Sequence, residues 1–387
     1  MIERSLFSPE HLAFRDSYQR FSDKEIAPFH EGWEEQGYVD REVWRKAGAN
    51  GFLCMTMPTE YGGAGADRLF AVAQMEVNAE TGYSGIGFGL HNEIVAPYIA
   101  RYGTEAQKAR FLPAMASGQM IGAIAMSEPA AGSDLQGIKA TAIAQPDGSF
   151  LLNGSKTFIT NGWHADLVIV VAKTDPDAGA RGTSLLLVER GMAGFEKGKR
   201  LKKLGLRAQD TSELFFDNVS VPADMLLGGP AMVGKGFVCL MQELPWERLQ
   251  IAIGAVASAQ SAIDQTITYV QQRKVFGSTV AQFQNTRFTL AELQTEVQIA
   301  RVFVDKCLEL LMVDKLDTAT ASMAKYWCSD LQNKVMDECL QLFGGYGYMW
   351  EYPITRAFAD ARVQRIYGGT NEIMKEVITR SMGLAGK

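Results

Sequence analysis

Leu167-Val168-Ile169-Val170-Val171-Ala172 reads as a β-strand, and it decides the fold because the chain on either side of its neighbourhood is spaced for helices. Lys139 to Ala144, Phe150 to Leu152, Thr183 to Val188 and Leu214 to Val221 read as further strands. The turn pairs Asp147-Gly148 and Asn161-Gly162 stand between them, as hairpins require. The stretch from about Gly118 to Leu227 is therefore expected to form an antiparallel β-barrel or sandwich. Before it, Phe14, Tyr18 and Phe21, then Leu69, Val72 and Ala73, recur three and four apart, with glycines at 62, 63, 85, 87 and 89 as punctuation. After Gly236 the helical stripe returns through Leu249, Ile253, Val256, Gln260, Ile263, Ile267 and Val270, and again through Leu293, Val297, Ala300, Val304, Cys307 and Leu311. Such stripes fit a bundle of long antiparallel helices. The expected architecture is α+β and multidomain: helices over 1–120, a β domain over 121–230 and a helical bundle over 231–387, packed as one body.

Composition narrows the class of function. The 387 residues are 47% hydrophobic and 21% charged, with a net charge of -6. That balance offers no basic face for nucleic acid. Cys54, Cys239, Cys307, Cys328 and Cys339 are widely separated, so they read as buried thiols of a reducing compartment. His11, His30, His91 and His164 do not pair at ligand spacing, and no metal site is expected. No apolar run reaches the ~20 residues of a membrane span, and the start lacks the basic and apolar regions of a secretory signal. A cytoplasmic chain is expected, or else a processed organellar one.

Two glycine-rich segments test for a nucleotide. Gly229 to Lys235 has the glycine and lysine spacing of a phosphate loop, but Gly236 replaces the hydroxyl residue that would hold magnesium, and Pro230 removes an amide donor. No Gly-x-Gly-x-x-Gly follows a strand, so a Rossmann site is unsupported. Arg273 closes a long helix and has the fork that suits a pyrophosphate, although a basic residue there also complements the helix dipole. Gly344-Gly345 reads equally as a helix cap or as a place where backbone approaches an anion. Glu247, in Leu244-Pro245-Trp246-Glu247-Arg248, stands just ahead of the helix ending at Arg273, where a first-turn acid is also ordinary.

Taken together, Ser127-Glu128-Pro129-Ala130-Ala131-Gly132-Ser133-Asp134, Asn153-Gly154-Ser155-Lys156-Thr157-Phe158-Ile159-Thr160-Asn161-Gly162, Gln341-Leu342-Phe343-Gly344-Gly345 and Tyr367-Gly368-Gly369-Thr370-Asn371-Glu372 resemble the acyl-CoA dehydrogenases, and the long-chain members most. The resemblance covers essentially the whole chain. It implies FAD as cofactor, with Met126, Ser127, Gly132 and Ser133 lining flavin and thioester, and Phe158, Ile159 and Thr160 against the isoalloxazine. It further implies that Arg273, Phe276 and Gln284 reach the FAD of a neighbouring subunit, whose pyrophosphate rests on Gln341, Gly344 and Gly345, with Thr370 and Glu372 also at the cofactor. Ser133, Arg248, Tyr367 and Gly368 are the implied substrate contacts.

Many members of that family carry their catalytic glutamate after the C-terminal tyrosine, where this chain has Gly368. Others place it in a Glu-Arg pair on the bundle, and here Glu247-Arg248 stands at that position. The resemblance thus implies that Glu247 is the base and that the Gly368 amide remains as a donor to the thioester oxygen, with Arg248 orienting the base or meeting CoA. It implies an acyl-CoA substrate of medium or long chain, an electron-transfer flavoprotein as acceptor, and a homotetramer built as a dimer of dimers. The alternatives are a branched-chain or isoprenoid acyl-CoA dehydrogenase, an oxygen-using flavin oxidase or monooxygenase on the same scaffold, and a redox-silent acyl-CoA-binding member.

Overall fold

The computed structural model describes residues 2–384. Its first part is helical: α1 (Pro9–Glu25), α2 (His30–Gln36), α3 (Arg41–Ala49), α4 (Arg68–Thr81), α5 (Phe88–Leu90), α6 (Ala96–Tyr102) and α7 (Glu105–Ala116). Local chemistry sets the boundaries. The Asp67 side chain accepts the Leu69 amide to start α4, and Gly82, in the left-handed region at φ +71°, ends it. Thr104 and Gln107 close a reciprocal capping box at α7. Between α5 and α6 the helix widens into a π-turn at His91–Val95, a feature often found where a helix carries function.

Seven strands follow: β1 (Gly122–Ala125), β2 (Thr141–Ala144), β3 (Phe150–Thr160), β4 (Leu167–Lys173), β5 (Thr183–Glu189), β6 (Phe195–Arg200) and β7 (Thr211–Val221). The β domain lies in the expected region, but it is mixed rather than antiparallel. β1 runs parallel to β4, from Gly122 opposite Leu167 to Ala125 opposite Val170, and β2 joins the same edge of β4 in parallel at Thr141 and Lys173. The remaining pairs, β2 with β3, β3 with β7, β6 with β7 and β4 with β5, are antiparallel. The apolar run of β4 is buried along its whole length because α5 to α7 cover the sheet there, so Val95, Tyr98, Ile99, Phe111 and Leu112 share one core with Val168, Val170 and Leu186.

The bundle consists of α8 (Gly236–Gln272), α9 (Gln284–Met312), α10 (Thr318–Phe343), α11 (Pro353–Ala361) and α12 (Asn371–Ser381), with a short hairpin, β8 (Lys274–Val275) and β9 (Ser278–Thr279), between α8 and α9. Its core is the expected stripe, with Leu249, Ile253, Val256 and Ile263 of α8 against Val297, Val304 and Cys307 of α9 and Cys328, Val335 and Met336 of α10. One boundary differs. α8 begins at Gly236, so Pro245 and Glu247 lie inside the helix, and Glu247 is not a first-turn acid. Pro245 lacks the N–H that would bond the carbonyl one turn earlier, yet the helix continues through it.

The parts are joined by shared cores and by ion pairs. Leu69 and Val72 of α4 pack into the bundle. Buried Glu76 of α4 accepts Arg4 at 2.9 Å and Arg301 of α9 at 2.8 Å, tying the N-terminal segment and α4 to the bundle. Removing one member of such a buried network costs roughly 3–5 kcal/mol.

Candidate active site

Glu247 faces α6, where its only side-chain hydrogen bond among the described residues comes from the Tyr98 hydroxyl, which donates to Oε1 at 3.1 Å. Tyr98 is fully buried and Glu247 is 8% exposed. Burial pushes the Glu247 carboxyl up to about 7, against the opposing pull of the Tyr98 hydroxyl; Glu243 raises it further and Arg248 lowers it. Glu243 sits one turn earlier on α8 and is itself satisfied, accepting Arg101 at 2.9 Å and the Tyr102 hydroxyl at 2.7 Å. Of the two neighbouring carboxylates on this face, Glu247 is therefore the one that no cation of the described residues approaches within ion-pair distance.

The C-terminal turn meets α8 one turn further along. A Cβ on Gly368 would stand 2.5 Å from Cδ1 of Ile251, four residues after Glu247, and Gly368 is at φ +65°. The positive φ favours glycine there, and a larger residue would also need the end of the Ile251 side chain to move aside. Among the described residues no acceptor engages the Gly368 amide. Tyr367 is half-exposed and its hydroxyl donates to Gln364 at 2.7 Å. Glu372, the competing carboxylate, is exposed in the first turn of α12, and its own amide and the Thr370 hydroxyl hold it below the usual carboxylate range. Thr370 accepts the Ile373 amide as the helix cap.

Arg248 departs from expectation. It is buried and its Nη1 donates to Ser322 of α10 at 3.1 Å, so it points into the α8–α10 interface rather than toward solvent. The adjacent helix position carries it about 100° around the axis from Glu247.

The two β-domain motifs are clamped together. Lys156 of β3 donates to Glu128 at 2.8 Å and to the Met126 carbonyl at 3.1 Å, and the Thr157 amide donates to the Ser127 carbonyl at 3.0 Å. The Glu128 carboxylate also accepts the Lys139 and Ala140 amides, at 2.6 and 3.0 Å. Burial would raise its pKa, but these donors together hold it below the usual range. Gly132 and Ser133 lie on the exposed loop fixed in this way. On β3, a bulge between Lys156 and Ile159 puts Phe158 at φ +60° with its ring 70% exposed, while Ile159 is buried and Thr160 half-buried. A bulky residue in the left-handed region is strained, and strain of this kind concentrates at binding sites.

A second cluster forms at the far end of α8. The Arg273 guanidinium lies 5.4 Å from the Tyr346 ring centre, and Tyr269 stacks on Phe343 at 4.1 Å. The end of α8 thus meets the end of α10, where Gln341, Gly344 and Gly345 are exposed. Nothing lies within 4 Å of a Cβ on either glycine, so packing within the chain does not explain Gly345, whose φ is ordinary. Phe276 caps the hairpin at φ +50° and is 97% exposed, and Gln284 opens α9 on the surface.

Sequence reading missed Tyr98, Lys156, Lys325 and a second buried carboxylate, Glu93. Glu93 lies in the π-turn beside a cavity of about 300 Å³ lined also by Thr56, Arg68, Pro97, Trp246 and Leu311, and burial pushes it up to about 7. The signal for Lys156 and Lys325 was a lone charge on a buried stripe.

Three family models match in succession: the acyl-CoA dehydrogenase N-terminal domain over residues 8–119, the middle domain over 123–219 and the C-terminal domain over 234–383. The chain belongs to the acyl-CoA dehydrogenase family of oxidoreductases. It is 54% identical over 381 residues to the long-chain specific acyl-CoA dehydrogenase of Rattus norvegicus mitochondria, covering 98% of this chain and 88% of that one. An acyl-CoA dehydrogenase structure from Geobacillus kaustophilus is similar at a TM-score of 0.95 with 47% identity, covering 98% of this chain and 100% of that one. An acyl-CoA dehydrogenase from Bacillus anthracis complexed with FAD is similar at 0.91 with 30% identity, covering 97% and 68%.

Proposed function

We propose that this chain is an FAD-dependent dehydrogenase that desaturates the Cα–Cβ bond of a long-chain acyl-CoA thioester, with Glu247 as the base. The observation that carries the reading is the Glu247 carboxyl, buried, poised near 7 and one helical turn from the seat of Gly368. A base near neutrality is partly ionised and still strong enough to accept a proton. FAD, when bound, supplies the hydride acceptor for the β-carbon. Glu247 takes the α-proton, and the free Gly368 amide faces the thioester oxygen where negative charge develops, the position at which a fixed donor contributes most. Tyr98 orients the carboxylate from the opposite side.

The residues present fit the cofactor. Phe158 offers an exposed ring on a fixed bulge, and Gly344 and Gly345 leave room for an anion beside Arg273. Yet Arg273 lies 26 residues beyond Glu247 on the same helix, about 39 Å at the helical rise. One dinucleotide does not span that length, which supports a cofactor shared between subunits and an assembly in which Phe276 is covered. The exposed Phe288, Ile299 and Trp327 on the bundle support further contacts, as in a dimer of dimers. The long-chain preference rests on the 54% identity over nearly the whole chain.

The purified protein tests this directly. It should show a flavin spectrum that bleaches anaerobically with saturated acyl-CoA, fastest with unbranched long chains, and stay bleached until an electron-transfer flavoprotein is added. Rapid reoxidation by air would favour an oxidase, fastest bleaching by a branched thioester would move the substrate class, and no bleaching by any thioester would end the reading.

A further inference from the structure

Lys325 of α10 is fully buried, yet among the described carboxylates none lies within ion-pair distance of its ammonium. Instead Nζ donates to the Gly369 carbonyl at 2.7 Å and to Asn371 Oδ1 at 2.8 Å. Asn371 is held in turn, donating through Nδ2 to Ser329 at 3.0 Å and to Asp330 at 2.9 Å. The Arg248 guanidinium enters the same region through Ser322, one turn before Lys325 on α10, and its Nε is buried without a partner among the described residues. Two cations are therefore sequestered between α8, α10 and the Tyr367–Gly369 turn. An unpaired buried charge opposes folding, and the buried polar neighbours of Lys325 on this face of α10, Ser322, Ser329 and Gln332, are neutral and supply no counter-charge.

What the ammonium fixes is the turn itself. Gly368 and Gly369 both adopt positive φ, +65° and +90°, and two glycines in succession give a segment many conformations unless something outside it chooses one. Asn371 and Thr370 hold the turn from the α12 side, Ile251 limits it from α8, and Lys325 holds the carbonyl between them.

We propose that Lys325 is a positioning residue for the desaturation reaction, anchoring the Gly369 carbonyl and Asn371 so that the Gly368 amide is held toward the thioester oxygen beside Glu247. The inference rests on the functional reading above and names a residue that acts through the turn, without touching the substrate. A donor displaced by about 1 Å loses roughly 10²-fold in rate, while the acyl chain and CoA keep their contacts. The loss should therefore fall on the chemical step and spare ground-state binding.

The experiment compares wild type with Lys325→Met, which keeps the length of the side chain and removes its donors, and Lys325→Gln, which keeps a neutral, shorter amide donor group. Each is measured as FAD-loaded protein by anaerobic stopped-flow bleaching over a range of long-chain acyl-CoA. Lys325→Met should bleach about 10- to 100-fold more slowly at saturation with its half-saturating concentration unchanged, and Lys325→Gln should fall between. An analogue with sulfur at the β position, which can lose the α-proton but has no hydride to give, should bind the variants more weakly while a saturated thioester binds them equally. Wild-type bleaching in flavin-loaded Lys325→Met overturns the inference alone. Failure of both variants to fold with FAD also overturns it, assigning the lysine to stability. A wild-type protein that no acyl-CoA bleaches overturns the functional reading and this inference with it.

Discussion

Replacing Tyr98 by Phe removes one oxygen atom, and that atom makes the only side-chain hydrogen bond to Glu247 among the described residues. The hydroxyl stabilises the charged carboxylate and so lowers its pKa; without it, burial acts with less opposition and the pKa rises. A hydrogen bond to a charged group contributes roughly 1.5–3 kcal/mol, and at 3.1 Å the lower end applies, which corresponds to about one pH unit. The acid limb of the kcat/KM profile should move from about 7 toward roughly 8. At high pH the variant's rate should equal or exceed that of the wild type, because the carboxylate has become a stronger base. The fold should change little, since the ring of Tyr98 stays in its core. The assay is anaerobic flavin bleaching by acyl-CoA between pH 5.5 and 9.5, with thermal unfolding beside it. An acid limb that stays in place, or moves downward, would refute the assignment of that limb to Glu247.

Glu247→Gln should retain FAD and lower turnover by roughly 10² to 10⁴, and it should also stabilise the fold at alkaline pH. The folded carboxyl keeps its proton to about 7 whereas the unfolded one releases it near 4.5, so wild-type stability falls as pH rises through that window. The variant escapes a penalty of about 3 kcal/mol above pH 7, visible as a melting temperature that exceeds wild type at pH 8 and matches it at pH 4. Lys156→Met leaves Glu128 buried beside two amides with its cation gone, and should cost about 3–5 kcal/mol in denaturant unfolding together with loss of bound flavin. Gly345→Ala adds a Cβ with no heavy atom of the described residues within 4 Å, and it should leave thermal stability of the apoprotein unchanged while weakening FAD retention in dialysis; equal retention would remove this glycine from the cofactor site.

The helices of the bundle were legible because their stripes are long and each buried position repeats the same demand. β4 was legible for the same reason, being buried on both faces. β6 was not, since Phe195-Glu196-Lys197-Gly198-Lys199-Arg200 lies at a sheet edge where charge is tolerated and no alternation is imposed. The parallel pairing of β1 with β4 joins segments far apart in sequence, and nothing in four small apolar residues states the direction of a distant partner. The start of α8 was misplaced because Pro245 is costly inside a helix in isolation, and tertiary packing on both flanks overrides that cost here. For the candidate site, the resemblance supplied the motif residues as expectations, whereas nothing in the sequence pointed to Tyr98. It is one tyrosine on a helical stripe, and its phase toward Glu247 depends on the π-turn before it.

That π-turn amounts to one extra residue in the helical count at His91–Val95. Deleting a single residue there would restore an even α-helical pitch and rotate everything downstream by about 100°. Tyr98, Arg101 and Tyr102 would then swing away from α8 as a set, leaving Glu247 without the first as its donor and Glu243 without the other two. The widened coil is thus a phase-setting device, so a shortened sequence at this point should keep its helix and lose its acid–base partner.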